Sequence, residues 1–285
     1  MINFYTGRGE EEFFTDLAAE RHRADLDVAG ISLEKEKRGH FLWERIKVSS
    51  EEGERSIGRP MGNYDTLTLP RLELMDEEEV FDAVDEVSRE LCHLCEENGI
   101  LPERILVLGL GNRELTPDAI GPRCADMVEA TMQLKGADKE SFYSLDCSEI
   151  AVISPGVEAR SGIEAGVVAR GICDEISPDL VIAVDALASG SPERLGSTVQ
   201  ISDTGIFPGS GLGMGRSPIN EDSLGVPVIA IGVPTVINAK SFLPKTHSSV
   251  RLEDTFLSPK DIDTVVKNAS RIIAGGINQA FGIFS

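Results

Sequence analysis

Leu180-Val181-Ile182-Ala183-Val184-Asp185-Ala186-Leu187 is almost wholly apolar and breaks on a carboxylate. A short run of this kind fits a strand covered on both faces. Ile105 to Leu108, Ile150 to Ile153 and Val226 to Ile231 share its texture. Between these runs the apolar residues fall at helical steps. Pro117 to Leu134 carries Ile120, Ala125, Val128 and Met132, and Ser161 to Ile176 carries Ile163, Val167, Val168, Ile172 and Ile176. A last helix is predicted over Pro259 to Ala280. Strands alternating with helices imply parallel strands and right-handed crossovers. The expected fold class is therefore α/β, a layered, mostly parallel sheet with helices on both faces.

Upstream the texture differs. Glu10 to Glu97 is dense in charge and offers two strands, Phe41 to Val48 and Asp65 to Leu69, separated by the turn-rich Gly53 to Asn63. Val80, Phe81, Val84, Val87, Leu91, Leu94 and Cys95 then recur at three- and four-residue steps, an amphipathic helix ended by Asn98-Gly99. The sections read as 17–100, charged with short strands and a helix, and 101–285, the α/β core.

The 285 residues carry 27 Lys and Arg against 48 Asp and Glu, a formal charge of −21. Without a segregated basic patch, that sign disfavours nucleic acid and anionic membranes as partners. The N-terminal stretch lacks a basic start and an apolar core, and no long apolar run follows, so neither a signal peptide nor a membrane span is expected. Five scattered cysteines read as reduced, buried thiols of a cytoplasmic protein. Cys92 and Cys95 form a lone C-x-x-C with no second pair for zinc.

Ligands of open parallel sheets bind beyond the carboxyl ends of strands. Two acids are expected there. Asp118 follows Gly109-Leu110-Gly111-Asn112, with Thr116 as N-cap and Pro117 as the first helical residue. Asp185 ends the run quoted above. Asp118 also fits a plain helix-dipole partner, whereas Asp185 is costly to bury without a partner. Two carboxyls in close approach would share a proton and divide acid and base roles.

Other constellations fail. Glu114 stands where a dinucleotide fingerprint needs its third glycine, and Arg216-Ser217 where a P-loop needs its lysine. The loop from Gly205 to Gly215 remains an active-site rim, an anion nest or an ordinary loop. No G-x-S-x-G or H-E-x-x-H occurs.

Several segments together resemble the germination protease family of spore-forming bacteria. They are Gly109-Leu-Gly-Asn, Thr116-Pro-Asp-Ala-Ile-Gly-Pro, Ser154-Pro-Gly-Val, Pro178-Asp-Leu-Val-Ile-Ala-Val-Asp, Gln200-Ile-Ser-Asp-Thr-Gly-Ile-Phe-Pro-Gly-Ser-Gly and Gly225-Val-Pro-Val-Ile-Ala-Ile-Gly-Val-Pro-Thr-Val. Thr15-Asp16-Leu17-Ala18 and Ile57-Gly-Arg-Pro-Met-Gly-Asn extend the match upstream. The resemblance implies an endopeptidase that degrades small acid-soluble spore proteins early in germination, located in the cytoplasm of the spore core. It implies a homotetrameric zymogen that removes a short propeptide, here residues 1–16, and a sheet similar to that of hydrogenase maturation proteases. It places the catalytic pair on Asp118 and Asp185, and active-site loop positions on Gly111, Asn112, Thr116, Gly209, Ser210 and Gly211. Processing is expected around Thr15, Asp16 and Leu17, with Glu12-Phe13 as an alternative bond because it resembles the acid-then-aromatic bond cut in the substrates. No cofactor is expected, and four histidines argue against zinc. The connection between Ile237-Asn238-Ala239 and Phe256-Leu257-Ser258 is shorter than in longer family members. Two rivals remain: a small-molecule hydrolase or phosphorylase on a similar sheet, and a catalytically silent assembly protein.

Overall fold

The computed structural model describes residues 15–21, 28–137, 142–145, 147–208, 217–242 and 255–282. Among the described residues nine strands form one sheet: β1 Ile31–Arg38, β2 Phe41–Val48, β3 Gly62–Thr68, β4 Arg104–Gly109, β5 Glu149–Ile153, β6 Leu180–Ser189, β7 Thr198–Ser202, β8 Val228–Asn238 and β9 Phe256–Leu257. Their order is β1-β2-β3-β7-β8-β6-β4-β5, with β9 on the end of β8.

The expectation of a mostly parallel sheet is corrected. Only β5, β4, β6 and β8 run parallel, and β7, β3, β2 and β1 continue antiparallel from β8. The reason lies in connection length. A crossover needs a dozen or more residues, and the chain from Ser189 to Thr198 is too short to carry one, so β7 returns antiparallel. The boundary drawn at residue 100 is no break in the sheet, because β3 pairs with β7.

Helices cover both faces. On one, the Glu77–Glu97 and Ile262–Phe281 helices enclose Trp43, Leu67, Val107, Ile182, Ile231 and their neighbours. The two helices approach closely at Gly276, where a Cβ would lie 2.5 Å from a Val87 methyl. On the other face, the Ala165–Ile176 helix and Leu17 cover Leu106, Leu108, Val181 and Ala183. Among the described residues, no helix is long and apolar enough to cross a membrane.

Several expected elements differ in detail. The stretch from Pro117 to Leu134 is a 3-10 turn Thr116–Asp118, a helix Ile120–Ala125 and a separate helix Met132–Ala137. The break is set at Thr131, whose hydroxyl donates to the Ser148 carbonyl and accepts from the Ile150 N–H, tying the chain to β5. Leu115, not Thr116, precedes the turn as its cap residue. Ser161 to Ile176 divides into Glu158–Ser161 and Ala165–Ile176, with Gly162 in a left-handed conformation between them. Ile163 and Val167, expected on the buried side, are exposed, as is Phe81. The turn-rich Gly53 to Asn63 begins within a helix, Glu51–Ile57, capped by the Ser50 hydroxyl.

Candidate active site

β4 ends at Gly109, and the following turn is pinned to β6 by the Leu110 N–H donating to the Val184 carbonyl at 2.8 Å. Gly111 takes φ of 110°. A Cβ there would lie 2.2 Å from the Asp118 carbonyl oxygen, so glycine alone permits the turn. The Asn112 N–H donates to the Asp118 carboxylate at 2.9 Å.

Asp185 lies within β6 and not at its end, because β8 runs beside it as far as Asn238. It is 6% exposed. Its carboxylate accepts the N–H of Ala186 at 2.9 Å. Asp118 and Asp185 both line one cleft of about 100 Å³, together with Gly111, Asp16, Ser217 and Thr235. Asn112 and Thr116 are not among the lining residues, and Asn112 serves the site by holding Asp118. Gly209, Ser210, Gly211, Glu12 and Phe13 lie outside the described residues.

The segment Thr15 to Arg21 is built into this region. Asp16 donates its N–H to the Ala188 carbonyl and accepts the Ala188 N–H on its carboxylate, each at 2.9 Å. Arg59 lies 3.6 Å from that carboxylate and donates to the Thr15 carbonyl at 3.0 Å. The Glu20 carboxylate accepts the N–H groups of Gly190 and Ser191 at 2.6 and 3.0 Å. Asp16 and Asp185 also line a smaller adjoining cleft with Arg59, Tyr64 and Gln200. Burial pushes the Tyr64 phenol up to about 12, against the effect of its bond from Thr204, so it stays protonated.

The cleft's chemistry is acidic. Asp16, Asp118, Glu158, Glu164 and Asp185 line it, and among the described residues no Lys, Arg or His does. Such a lining can take up and give protons and repels a phosphate. Cys95, Cys124 and Cys173 are buried as expected, whereas Cys92 and Cys147 are half-buried; burial pushes the Cys95 thiol up to about 12 and raises Cys92, Cys124 and Cys173, which makes these four poor nucleophiles. Among the described residues, no three His, Cys, Asp or Glu side chains are grouped to hold a metal ion. Sequence reasoning missed Asp16 as a cleft residue, and gave Arg59 and Thr235 no role of their own. Arg59 stood inside Ile57-Gly-Arg-Pro-Met-Gly-Asn, and Thr235 stood inside the segment from Gly225 to Val236 as a polar residue in an apolar run.

A family model described as germination protease matches residues 10–251. A germination protease of Caldanaerobacter subterraneus is 36% identical, covering 93% of each chain. One from Clostridium perfringens is 35% identical over 93% of this chain and 94% of its own. One from Oceanobacillus iheyensis is 41% identical over 75% of this chain and 60% of its own. Among solved structures, the nickel–iron hydrogenase maturation protease HycI of Thermococcus kodakarensis matches 60% of this chain and 93% of its own, at 18% identity and a TM-score of 0.33.

Proposed function

The chain belongs to the germination protease family and is an endopeptidase; from that premise we propose that it opens the breakdown of small acid-soluble spore proteins in the spore core, as the processed form of a homotetrameric zymogen. One observation supports the chemistry above the rest. Asp118 and Asp185 come from separate segments and line one cleft beyond β4. One of the pair, as carboxylate, takes a proton from water while the water oxygen adds to the scissile carbonyl carbon. The other, protonated, gives its proton to the leaving amine as the C–N bond breaks. The acidic lining counts against the phosphorylase reading, because phosphate would meet five carboxyl residues there.

The test is substitution. Asp118→Asn and Asp185→Asn, each in the processed chain with the fold intact by circular dichroism, are expected to slow cleavage of a small acid-soluble spore protein by at least ~100-fold, the scale of general acid–base catalysis. A wild-type rate in both variants would remove the dyad and leave the silent assembly protein as the better reading.

A further inference from the structure

Thr235 lies in β8 where the ladder to β6 changes register. Leu187 pairs with Pro234 and Ala188 with Val236, so Thr235 is the extra residue of a bulge. Bulges re-aim side chains and recur beside active sites. Thr235 lines the cleft of Asp118 and Asp185. It is 1% exposed, and its hydroxyl has no hydrogen-bond partner among the described residues. An enclosed hydroxyl without a partner lowers stability, and native chains rarely keep one without a use.

The chemistry of the cleft names the missing partner. An ionised carboxylate accepts hydrogen bonds and cannot donate them. The carbonyl oxygen of a peptide gathers negative charge as water adds to its carbon, and that charge needs a donor. Among the described residues, Thr235 and Ser217 are the hydroxyl-bearing side chains of the lining, and Ser217 is exposed to solvent. Thr235 is the one held in a water-poor position, where a hydrogen bond to developing charge is strongest.

We propose that the Thr235 hydroxyl donates a hydrogen bond to the scissile carbonyl oxygen of the peptide held at Asp118 and Asp185, an inference that rests on the dyad reading above. The hydroxyl keeps its proton throughout. The water proton passes to one carboxylate, the other carboxyl protonates the amine, and the products are a carboxylic acid and an amine. The contact forms when substrate closes the site, as catalytic hydrogen bonds often tighten only in the complex.

Thr235→Val keeps the side-chain shape and removes the donor, and Thr235→Ser restores it. With a small acid-soluble spore protein as substrate and the processed chain as enzyme, Thr235→Val is expected to lower kcat about 100-fold, the scale of one oxyanion donor, with KM nearly unchanged. Thr235→Ser should recover most of that loss. The thermal midpoint of Thr235→Val should equal or exceed that of the wild type, because a buried hydroxyl without a partner has been removed. Wild-type kcat in Thr235→Val overturns the inference, provided Asp185→Asn is inactive in the same assay. A lowered midpoint with no rescue by serine also overturns it, since the hydroxyl would then be structural. Full activity in Asp185→Asn is the separate result that removes the dyad itself.

Discussion

Asp65, buried on β3, shares the Arg45 guanidinium with a second buried acid, Glu90, which also has Arg38 at 3.9 Å. An Arg45 nitrogen lies 3.5 Å from the Asp65 carboxyl, and another donates to Glu90 at 2.6 Å. Both guanidinium groups favour Glu90, and Asp65 has only the longer contact to Arg45. Burial, then the charge of Glu90 and a hydrogen bond with it, push the Asp65 carboxyl up to about 8; Arg45 opposes the rise and Asp203 adds to it. An unfolded aspartate titrates near ~3.9, so between about 4 and about 8 the native state binds more protons than the unfolded one, and stability falls as pH rises. Asp65→Asn lacks that dependence. Urea midpoints measured from about pH 5 to about pH 8 should therefore show the wild type losing ground to Asp65→Asn as pH rises; parallel curves would refute the assignment. This pair was invisible in the sequence, because a charge-dense segment reads as solvated surface until β2, β3 and the Glu77–Glu97 helix close over it. That Asp118 and Asp185 would come to one cleft was legible for the opposite reason, since each follows a run of apolar residues whose burial the sequence declares. Thr235 was not, because the bulge that defines it depends on which strand β8 pairs with.

The segment from Thr15 to Arg21 decides where a propeptide can end. Thr15, Leu17 and Ala18 are fully buried. Burial of Leu17 alone contributes about 2 kcal/mol, and Asp16 and Glu20 add four hydrogen bonds with the backbone of Ala188, Gly190 and Ser191. A cut after Asp16 would discard part of this anchor and leave a charged amine on Leu17 in the core, a heavy cost without a partner. A cut at Glu12-Phe13 keeps the anchor whole. N-terminal sequencing of the processed form is expected to begin at Phe13, and a chain beginning at Leu17 would overturn the argument. Other elements show the same contrast between local and distant causes. β2 and the Glu77–Glu97 helix were legible because their apolar period is written in neighbouring residues. β1 was not, because Glu34-Lys35-Glu36-Lys37-Arg38 gives an edge strand rich in charge, and among the described residues its only partner is β2. The stretch after Pro117 read as one helix because nothing local announces that Thr131 will leave it for β5.

Charge acts at the scale of the whole molecule. Each chain of 285 residues carries a formal −21, so copies brought together repel, as does a nucleic-acid duplex. The same sign opposes the proposed homotetramer, whose contacts must then gain more from apolar burial than they lose to repulsion between like surfaces. Salt separates those terms. The screening length falls from ~30 Å at 0.01 M to ~8 Å at 0.15 M, which weakens repulsion and leaves apolar contacts intact. Sedimentation at the two salt concentrations should show the average mass rising with salt from below four chains toward four times 30.7 kDa. A mass that falls with salt would mean that complementary ion pairs hold the assembly despite the net charge. A single-chain mass at both concentrations would remove the tetramer, and with it any part for neighbouring copies in shaping the cleft.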